Sequence, residues 1–373
     1  MHSQANLAPI ARDLSNVLPE SQLANEYRRA EQQFRQLLEI EDLDQQARVR
    51  SHLIDDFERA LTGALAAAFE ESGAGEDEAQ LFLQRVLYHI YRLNLFWYDD
   101  LSRYANEQSV YVHDVRKRIE AVWQPWERSQ LDSIELDAAD VPKALVDRAE
   151  ADLDPALTAD DFFFRDELTT AGYRHLLAIA SLDGLVEASQ LSRILGGAAN
   201  CIHAKLTRLL LEEYGFGHLE RKHSSYFIKM LDETGMRTEP EAYFELVPWE
   251  VLALTNQSFF FAERRRYFLR YIGGLLYFET SVPAAFRHYH AAAIRLGISK
   301  NGRAYWDLHI HADERHGRWM RHDVALPLIE RYPQHAWEMV YGYDQQRAMS
   351  ARAGKRVVHA VRKAQRSEPE VLV

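Results

Sequence analysis

The chain has 373 residues, of which 47% are hydrophobic and 27% charged, and its 44 Lys+Arg against 56 Asp+Glu give a net charge of −12. This balance argues against nucleic acid or an anionic membrane as a partner, because both require a positive protein surface. The single cysteine, Cys201, excludes an internal disulfide framework, and we find no signal peptide and no apolar run long enough for a membrane span. We therefore expect a soluble cytoplasmic protein, long enough for two domains.

The first 140 residues are predicted to form a helical domain. Apolar residues recur every three or four positions, and alternating β-branched runs, which would indicate a sheet, are missing. The first predicted helix ends near residue 40, and the second carries an apolar stripe over 54–65. The third runs from about 78 to 101 and the fourth from about 110 to 126. The third is rich in aromatic side chains, which suit either a dimer interface or a plain helical core.

The remainder of the chain is divided by composition. From about residue 137 it turns acidic and contains two prolines, which is typical of a boundary between domains. We therefore place an acidic linker at 141–158 and a second helical domain at 159–360. The charged segment 361–373 is predicted to be a frayed tail.

The strongest chemical motif is a row of polar residues on one predicted helix. His309, Asp313 and His316 are spaced by four and three residues. At about 100° per residue, these side chains share one face. Trp306 and Met320 continue the same face, so the polar row is expected to be buried, where charge is costly unless compensated. A divalent metal would supply the compensation, and a buried hydrogen-bond network is the alternative.

A second carboxylate-x-x-His unit lies earlier in the chain. Glu220 and His223 repeat the spacing of Asp313 and His316, and two such units on different helices build dinuclear carboxylate sites in helical bundles. Taken alone, this short pattern is more often chance or a surface pair. Glu213 extends an apolar stripe nearby, although Glu212 could turn inward instead.

Two further carboxylates lie on apolar stripes of predicted helices, Glu279 and Glu187. An ionised carboxylate is rarely buried without a partner, so both are candidate ligands. Glu187 could instead pair with Arg193. Carboxylate and imidazole ligands favour iron or manganese over copper or thiolate-bound zinc. Dinucleotide, phosphate-loop and serine-nucleophile motifs are missing.

These segments resemble the haem-oxygenase-like diiron oxidases and oxygenases. The resemblance covers about residues 160–345 and depends on the Glu-Tyr-Gly-x-Gly segment at 213–217, on Glu279 and on the motif at 309–316. It implies an all-α, haem-oxygenase-like helical bundle that binds two iron ions, with Glu187 in the bridging position. Members differ in which carboxylate of the second ligand helix they use. The implied ligands are Glu187, Glu213, Glu220, His223, Glu279, His309, Asp313 and His316.

Within this family, a helical dimerisation domain before the diiron domain is similar to the N-oxygenases of the streptozotocin and azomycin type. The resemblance implies a homodimer, O2 as co-substrate, a peroxo-diferric intermediate and an external reductase or reductant as electron donor. The implied reaction oxidises an amine, guanidine or aminoimidazole nitrogen to an N-hydroxy or nitro product. The chain leaves no room for the C-terminal cupin of some members, which puts N-nitroso formation in doubt.

Two alternatives remain at the level of the sequence. A diiron oxidase that cleaves or desaturates a fatty acid or an amino acid would use the same ligands. A metal-free helical binding protein would use the buried polar groups as a hydrogen-bond network. Three aromatic residues, Tyr277, Phe278 and Trp306, are expected either to wall the substrate pocket or to pack in the core.

Overall fold

The computed structural model describes residues 22–69, 75–95, 98–131, 137–138, 140–196 and 201–367. All regular elements within these ranges are helices, so the all-α fold is confirmed. None of the described helices combines the length and apolar character that crossing a bilayer would need.

The chain divides into two compact units, one formed by residues 1–93 and 98–119 and the other by 94–97 and 120–373. The division therefore falls inside a helix, about twenty residues before the boundary expected from composition. Pro125 lies within this helix without ending it.

The first unit is built around its fourth helix. Its helices are α1 Gln22–Leu38, α2 Leu43–Val49, α3 Asp55–Ala67, α4 Glu76–Tyr91 and the first part of α5 Val110–Ser129. The rings of Phe34 and Phe57 stack with centroids 4.7 Å apart, and Phe82 of α4 lies 6.1 Å from Phe57. The aromatic side chains of α4 are thus core residues. The predicted third helix is shorter than expected, and its aromatic residues 96 and 97 lie outside the described residues.

The second unit contains ten further α-helices and two π-helical segments among the described residues, the latter at Phe163–Glu167 and Met320–Ala325. The α-helices are α6 Val141–Leu153, α7 Ala159–Phe162, α8 Thr170–Gly184, α9 Cys201–Glu213, α10 His223–Glu233, α11 Trp249–Ala262, α12 Phe268–Arg295, α13 Ala304–Trp319, α14 Leu326–Arg331 and α15 Trp337–Arg366.

Helix α6 occupies most of the segment predicted to be an acidic linker. Val141, Leu145 and Ala149 recur every four residues and are each at most 1% exposed, while Lys143, Asp147 and Glu150 are exposed. The segment packs against α12 and α15. The acidic composition therefore belongs to the solvent face of an amphipathic helix and not to a linker.

Helix α12 is the central helix of this unit, with α13 and α15 packed along it. Two glycines let α12 and α15 approach closely, because a Cβ at Gly273 would lie 2.0 Å from the Met339 carbonyl oxygen and one at Gly342 would lie 2.1 Å from that of Arg270. The last helix continues to Arg366, so the first part of the predicted tail is helical. Residues 368–373 lie outside the described residues.

Candidate metal centre

The polar row on α13 is buried as its spacing predicts. His309, Asp313 and His316 are 7%, 4% and 0% exposed, respectively. Trp306 and Met320, each 1% exposed, continue this face in both directions. The row therefore faces the interior of the second unit with ionisable side chains in it.

Four neighbouring segments bring further carboxylates and a histidine to this row. Glu213 is the last residue of α9, His223 is the first residue of α10, and Glu279 lies in the middle of α12. Glu187 lies in a turn just beyond the end of α8, and not on the apolar helix that the sequence predicted. Helix α8 ends at Gly184, and the apolar residues that follow Glu187 belong to a separate 3-10 helix.

The turn between α9 and α10 depends on two glycines, as their spacing predicts. Gly215 and Gly217 have φ angles of 59° and 82°, which side chains rarely tolerate. A Cβ at Gly215 would also lie 2.6 Å from the carbonyl carbon of Arg221. This tight reversal allows Glu213 and His223 to meet at the same site.

A first cluster combines Glu187, Glu213, His223 and His309, whose ligand atoms all lie within 4.8 Å of one another. His223 Nδ1 lies 2.7 Å from Glu213 Oε2 and 3.2 Å from His309 Nε2. Glu187 Oε1 lies 3.6 Å from His309 Nε2 and 3.8 Å from His223 Nδ1. That oxygen is buried without a hydrogen-bond partner, which is costly unless a cation occupies the cluster.

A second cluster combines Glu213, Glu279 and His316, again with ligand atoms within 4.8 Å of one another. His316 Nδ1 lies 3.2 Å from Glu279 Oε2, 3.7 Å from Asp313 Oδ1 and 3.8 Å from Glu213 Oε1. Glu213 therefore directs one oxygen toward each cluster. In this geometry it is Glu213, and not Glu187, that lies between the two clusters.

Hydrogen bonds set which atoms of the first cluster remain free. His309 Nδ1 lies 2.9 Å from the Tyr305 carbonyl oxygen, which can only accept, so Nδ1 carries the proton and Nε2 keeps its lone pair. The Tyr305 hydroxyl donates to Glu187 Oε2 at 2.6 Å, and Oε1 is left for the cluster.

The electrostatics of the two clusters favour divalent cations. Burial, with the charge of Glu213, holds the pKa of Glu187 well above its usual value, and burial with the charges of Glu279 and Glu213 does the same for the pKa of Asp313. Burial, together with His223, lowers the pKa of His309 to about 4. Without a cation Glu187 and Asp313 therefore resist ionisation. Two divalent ions would balance the four carboxylates Glu187, Glu213, Glu279 and Asp313.

The predicted ligand Glu220 is not part of either cluster. It lies on the 3-10 turn Leu219–Arg221 with a side chain 68% exposed, and its nearest cationic partner is His218 at 3.7 Å. Because α10 begins only at His223, Glu220 precedes the helix, and Glu220 and His223 do not share a helical face. The Glu-x-x-His spacing was therefore misleading at this position.

Two neighbouring residues with polar roles, Tyr305 and Asp183, did not emerge from the sequence, and a third, Glu212, was considered there only as an alternative to Glu213. Tyr305 holds Glu187, and Glu212 places Oε2 3.0 Å from His316 Nε2. Asp183, one turn before Glu187, is exposed to solvent, yet surrounding protein and the charge of Glu213 raise its pKa to about 6. Tyr305 lies four residues before His309, and Asp183 lies four residues before Glu187. This spacing is the sequence signal that could have identified them.

The aromatic neighbours of the site differ from those expected. The ring of His309 lies 4.3 Å from that of Tyr305 and 5.5 Å from that of Phe286, measured between centroids. Trp306 packs in the core, where its indole N–H donates to the Tyr173 hydroxyl at 2.7 Å.

Comparison with known proteins places these residues in a recognised domain. Residues 174–351, which include both clusters, match the family described as iron-containing redox enzyme. A protein named nitrosourea synthase, from Streptomyces achromogenes subsp. streptozoticus, is 28% identical over 150 residues. The aligned region covers 40% of this chain but only 32% of that relative.

Proposed function

Residues 174–351 form a haem-oxygenase-like domain of the iron-containing redox enzyme family, and from this premise we propose that the protein is a non-haem diiron N-oxygenase. It would oxidise an amine, guanidine or aminoimidazole nitrogen of a small molecule to an N-hydroxy or nitro product. The observation that carries the proposal is the pair of buried clusters joined by Glu213.

The residues present suit two iron ions. Oxygen and imidazole donors are the ligands that iron accepts at oxygen-activating centres, and positions left open by protein ligands are available to O2. Glu187, Glu213, His223 and His309 would hold one ion, and Glu213, Glu279, Asp313 and His316 the other. Bound at these positions, the irons would supply the electrons and the binding site for reduction of O2.

The residues around the clusters prepare these ligands. The Tyr305 carbonyl and hydroxyl fix the tautomer of His309 and the orientation of Glu187. Phe286 and the ring of Tyr305 cover His309 with apolar surface, which limits access of water on that side.

Asp183 supports a cationic nitrogen compound as the substrate. Its carboxylate takes part in no hydrogen bond or ion pair among the described residues, and it contacts solvent within Coulombic range of Glu213. A carboxylate such as that of Asp183, which contacts solvent near the clusters, would bind a guanidinium or ammonium group and would repel the carboxylate of a fatty acid. The name of the nitrosourea synthase relative describes a product in which nitrogen is oxidised, which agrees with nitrogen as the reacting atom.

The balanced reaction needs an outside reductant. One oxygen atom of O2 is inserted into an N–H bond to give N–OH, and two electrons and two protons reduce the other oxygen atom to water. The chain has one cysteine, too few to ligate an iron–sulfur cluster, so we propose an external reductase or reductant as the donor. We also propose that the protein acts as a homodimer through its first unit.

Stopped-flow absorbance tests the proposal. Protein loaded with Fe(II) is mixed with oxygenated buffer, and a transient visible band whose amplitude saturates at two irons per chain is expected. L-Arginine or 2-aminoimidazole should accelerate its decay, whereas a long-chain fatty acid should not. Absence of iron uptake would favour the metal-free binding protein, and acceleration by the fatty acid alone would favour the cleaving or desaturating oxidase.

A further inference from the structure

Glu212 and Glu213 are consecutive residues at the end of α9, and both reach the metal centre by different routes. Glu213 enters the space between the clusters, whereas Glu212 reaches the far side of the His316 ring. The side chain of Glu212 is only 9% exposed, although the neighbouring Leu211 is exposed. The Glu212 carboxylate is therefore placed to act on a ligand instead of on a metal.

The two nitrogens of His316 face different groups. Nδ1 faces the second cluster, 3.2 Å from Glu279 Oε2, and Nε2 lies 3.0 Å from Glu212 Oε2. A carboxylate beside Nε2 requires a proton on that nitrogen, so Nδ1 is left as the metal-binding atom. Glu212 thereby selects the tautomer that the cluster needs.

Glu212 is itself held in place by two arginines. Arg315 Nη2 donates to Oε2 at 2.5 Å, and Arg208 Nε donates to Oε1 at 3.2 Å. With His316 on one side and the two arginines on the other, the carboxylate beside Nε2 is held in a fixed position.

One of the two histidines of the other cluster, His309, is oriented by a weaker acceptor. His309 Nδ1 donates to the neutral Tyr305 carbonyl oxygen at 2.9 Å. A carboxylate on the far nitrogen makes a ligating imidazole more basic than a carbonyl does. The two metal positions therefore differ in the donor strength of their histidines.

We propose that Glu212 is a positioning residue that orients His316 and strengthens its bond to the metal of the second cluster. This rests on the metal centre of the proposed function, which it deepens by making the two positions inequivalent. Loss of an outer carboxylate of this kind lowers metal affinity by about ten- to a hundredfold. That loss is expected at one of two irons only.

The test titrates metal-free protein with Fe(II) against a competing chelator and records Mössbauer spectra after loading with iron-57. Glu212→Ala should bind one iron with wild-type affinity and the other about ten- to a hundredfold more weakly, with one of two quadrupole doublets altered. Glu212→Gln should bind that iron more tightly than Glu212→Ala but less tightly than the wild type, because a neutral amide oxygen can still accept from His316 and Arg315 but adds no negative charge. The exposed Glu220→Gln serves as the matched control.

The outcomes separate this role from the proposed function. If wild-type protein binds no iron, the diiron proposal itself fails. If wild-type protein binds two irons and Glu212→Ala binds both with unchanged affinity and spectra, the positioning role is overturned while the diiron centre stands. A Glu212→Gln variant that folds, by circular dichroism, but binds as weakly as Glu212→Ala would also overturn it.

Discussion

The hydroxyl of Tyr305 donates a hydrogen bond of 2.6 Å to Glu187 Oε2, while Oε1 of the same carboxylate is buried with no hydrogen-bond partner. One oxygen of Glu187 is thus committed to the protein and the other is available to a cation. Because Glu187 lies in a turn and not on a helix, this hydrogen bond replaces the rigidity that a helix would have given it.

Tyr305→Phe removes this hydrogen bond without changing the packing of the ring. A buried carboxylate oxygen without its donor costs about 1–3 kcal/mol, so the metal-free protein should lose this much free energy of unfolding. Urea denaturation measures the loss, and Tyr332→Phe, at an exposed position, is the control. Equal stability of the two variants would show that the Tyr305 hydroxyl does not support Glu187.

Glu213→Ala is expected to lose both irons, because Glu213 gives an oxygen to each cluster. Glu220→Ala should keep both, since that side chain is exposed on the turn before α10. Iron per chain, measured by a colorimetric chelator after desalting, distinguishes the two. Loss of iron from Glu220→Ala would return that residue to the ligand set.

His309→Ala and His311→Ala form a matched pair on α13. His309 is 7% exposed within the first cluster, whereas His311 lies two residues further on with a side chain 75% exposed. His309→Ala should retain at most one iron and lose turnover, and His311→Ala should behave as the wild type. Full iron loading of His309→Ala would remove His309 from the centre.

Asp183→Asn should weaken binding of a cationic substrate while leaving iron content unchanged. Loss of a charge-assisted hydrogen bond costs about 1.5–3 kcal/mol, or about a ten- to hundredfold rise in KM. Steady-state kinetics with the substrate found by stopped flow measures the effect, and Asp232→Asn, exposed on α10, is the control. An unchanged KM would place the cation elsewhere.

Glu31 should make the stability of the metal-free protein depend on pH. Its buried carboxylate accepts from His89 at 3.0 Å and Arg85 at 3.1 Å, and although burial opposes them these contacts hold its pKa below the usual 4.5. A lowered pKa in the folded state stabilises the protein above about pH 4.5, and this contribution is lost as the pH falls through the folded-state value.

Replacing the Glu31 carboxylate tests this expected loss of stability at low pH. Glu31→Gln should lower the free energy of unfolding at pH 7 by about 3 kcal/mol, because the buried Arg85 guanidinium loses its counter-charge. The difference from wild type should shrink as urea titrations move from pH 5 to lower values. The exposed Glu39→Gln should show no such trend, and a constant difference for Glu31→Gln would contradict the ion-pair explanation.

The parts of the site that depend on regular helices could be predicted from the sequence. The spacing on α13 placed three polar residues on one buried face, and Glu279 followed the apolar stripe of α12 into the core. Helical geometry alone fixes these directions, so sequence distance converts directly into position.

The parts of the site that could not be predicted from the sequence depend on where helices begin and end. Glu187 is buried although its helix ends before it, and Glu220 is exposed because α10 begins after it. Periodicity predicts the face of a helix but not its ends, which are set by the glycine turn and by tertiary contacts. For the same reason the sequence left Glu212 and Glu213 open, since consecutive residues at a helix end can both reach the interior.

The acidic segment after residue 137 shows the same limit at the level of domains. Its charges suggested a linker, but Val141, Leu145 and Ala149 form a buried stripe within them. Composition averages over both faces of a helix, so it hid a periodicity that the individual residues carry.

The residues of the two clusters come from four helices and one turn between Glu187 and His316, and they meet only when these segments pack together. An unfolded chain therefore has no preformed chelate to offer, and iron can be captured only after the second unit has assembled. The amount of bound metal would then measure how much of the protein has a folded second unit. A damaged or partly folded chain would release its iron before it could generate oxidants without a substrate to consume them.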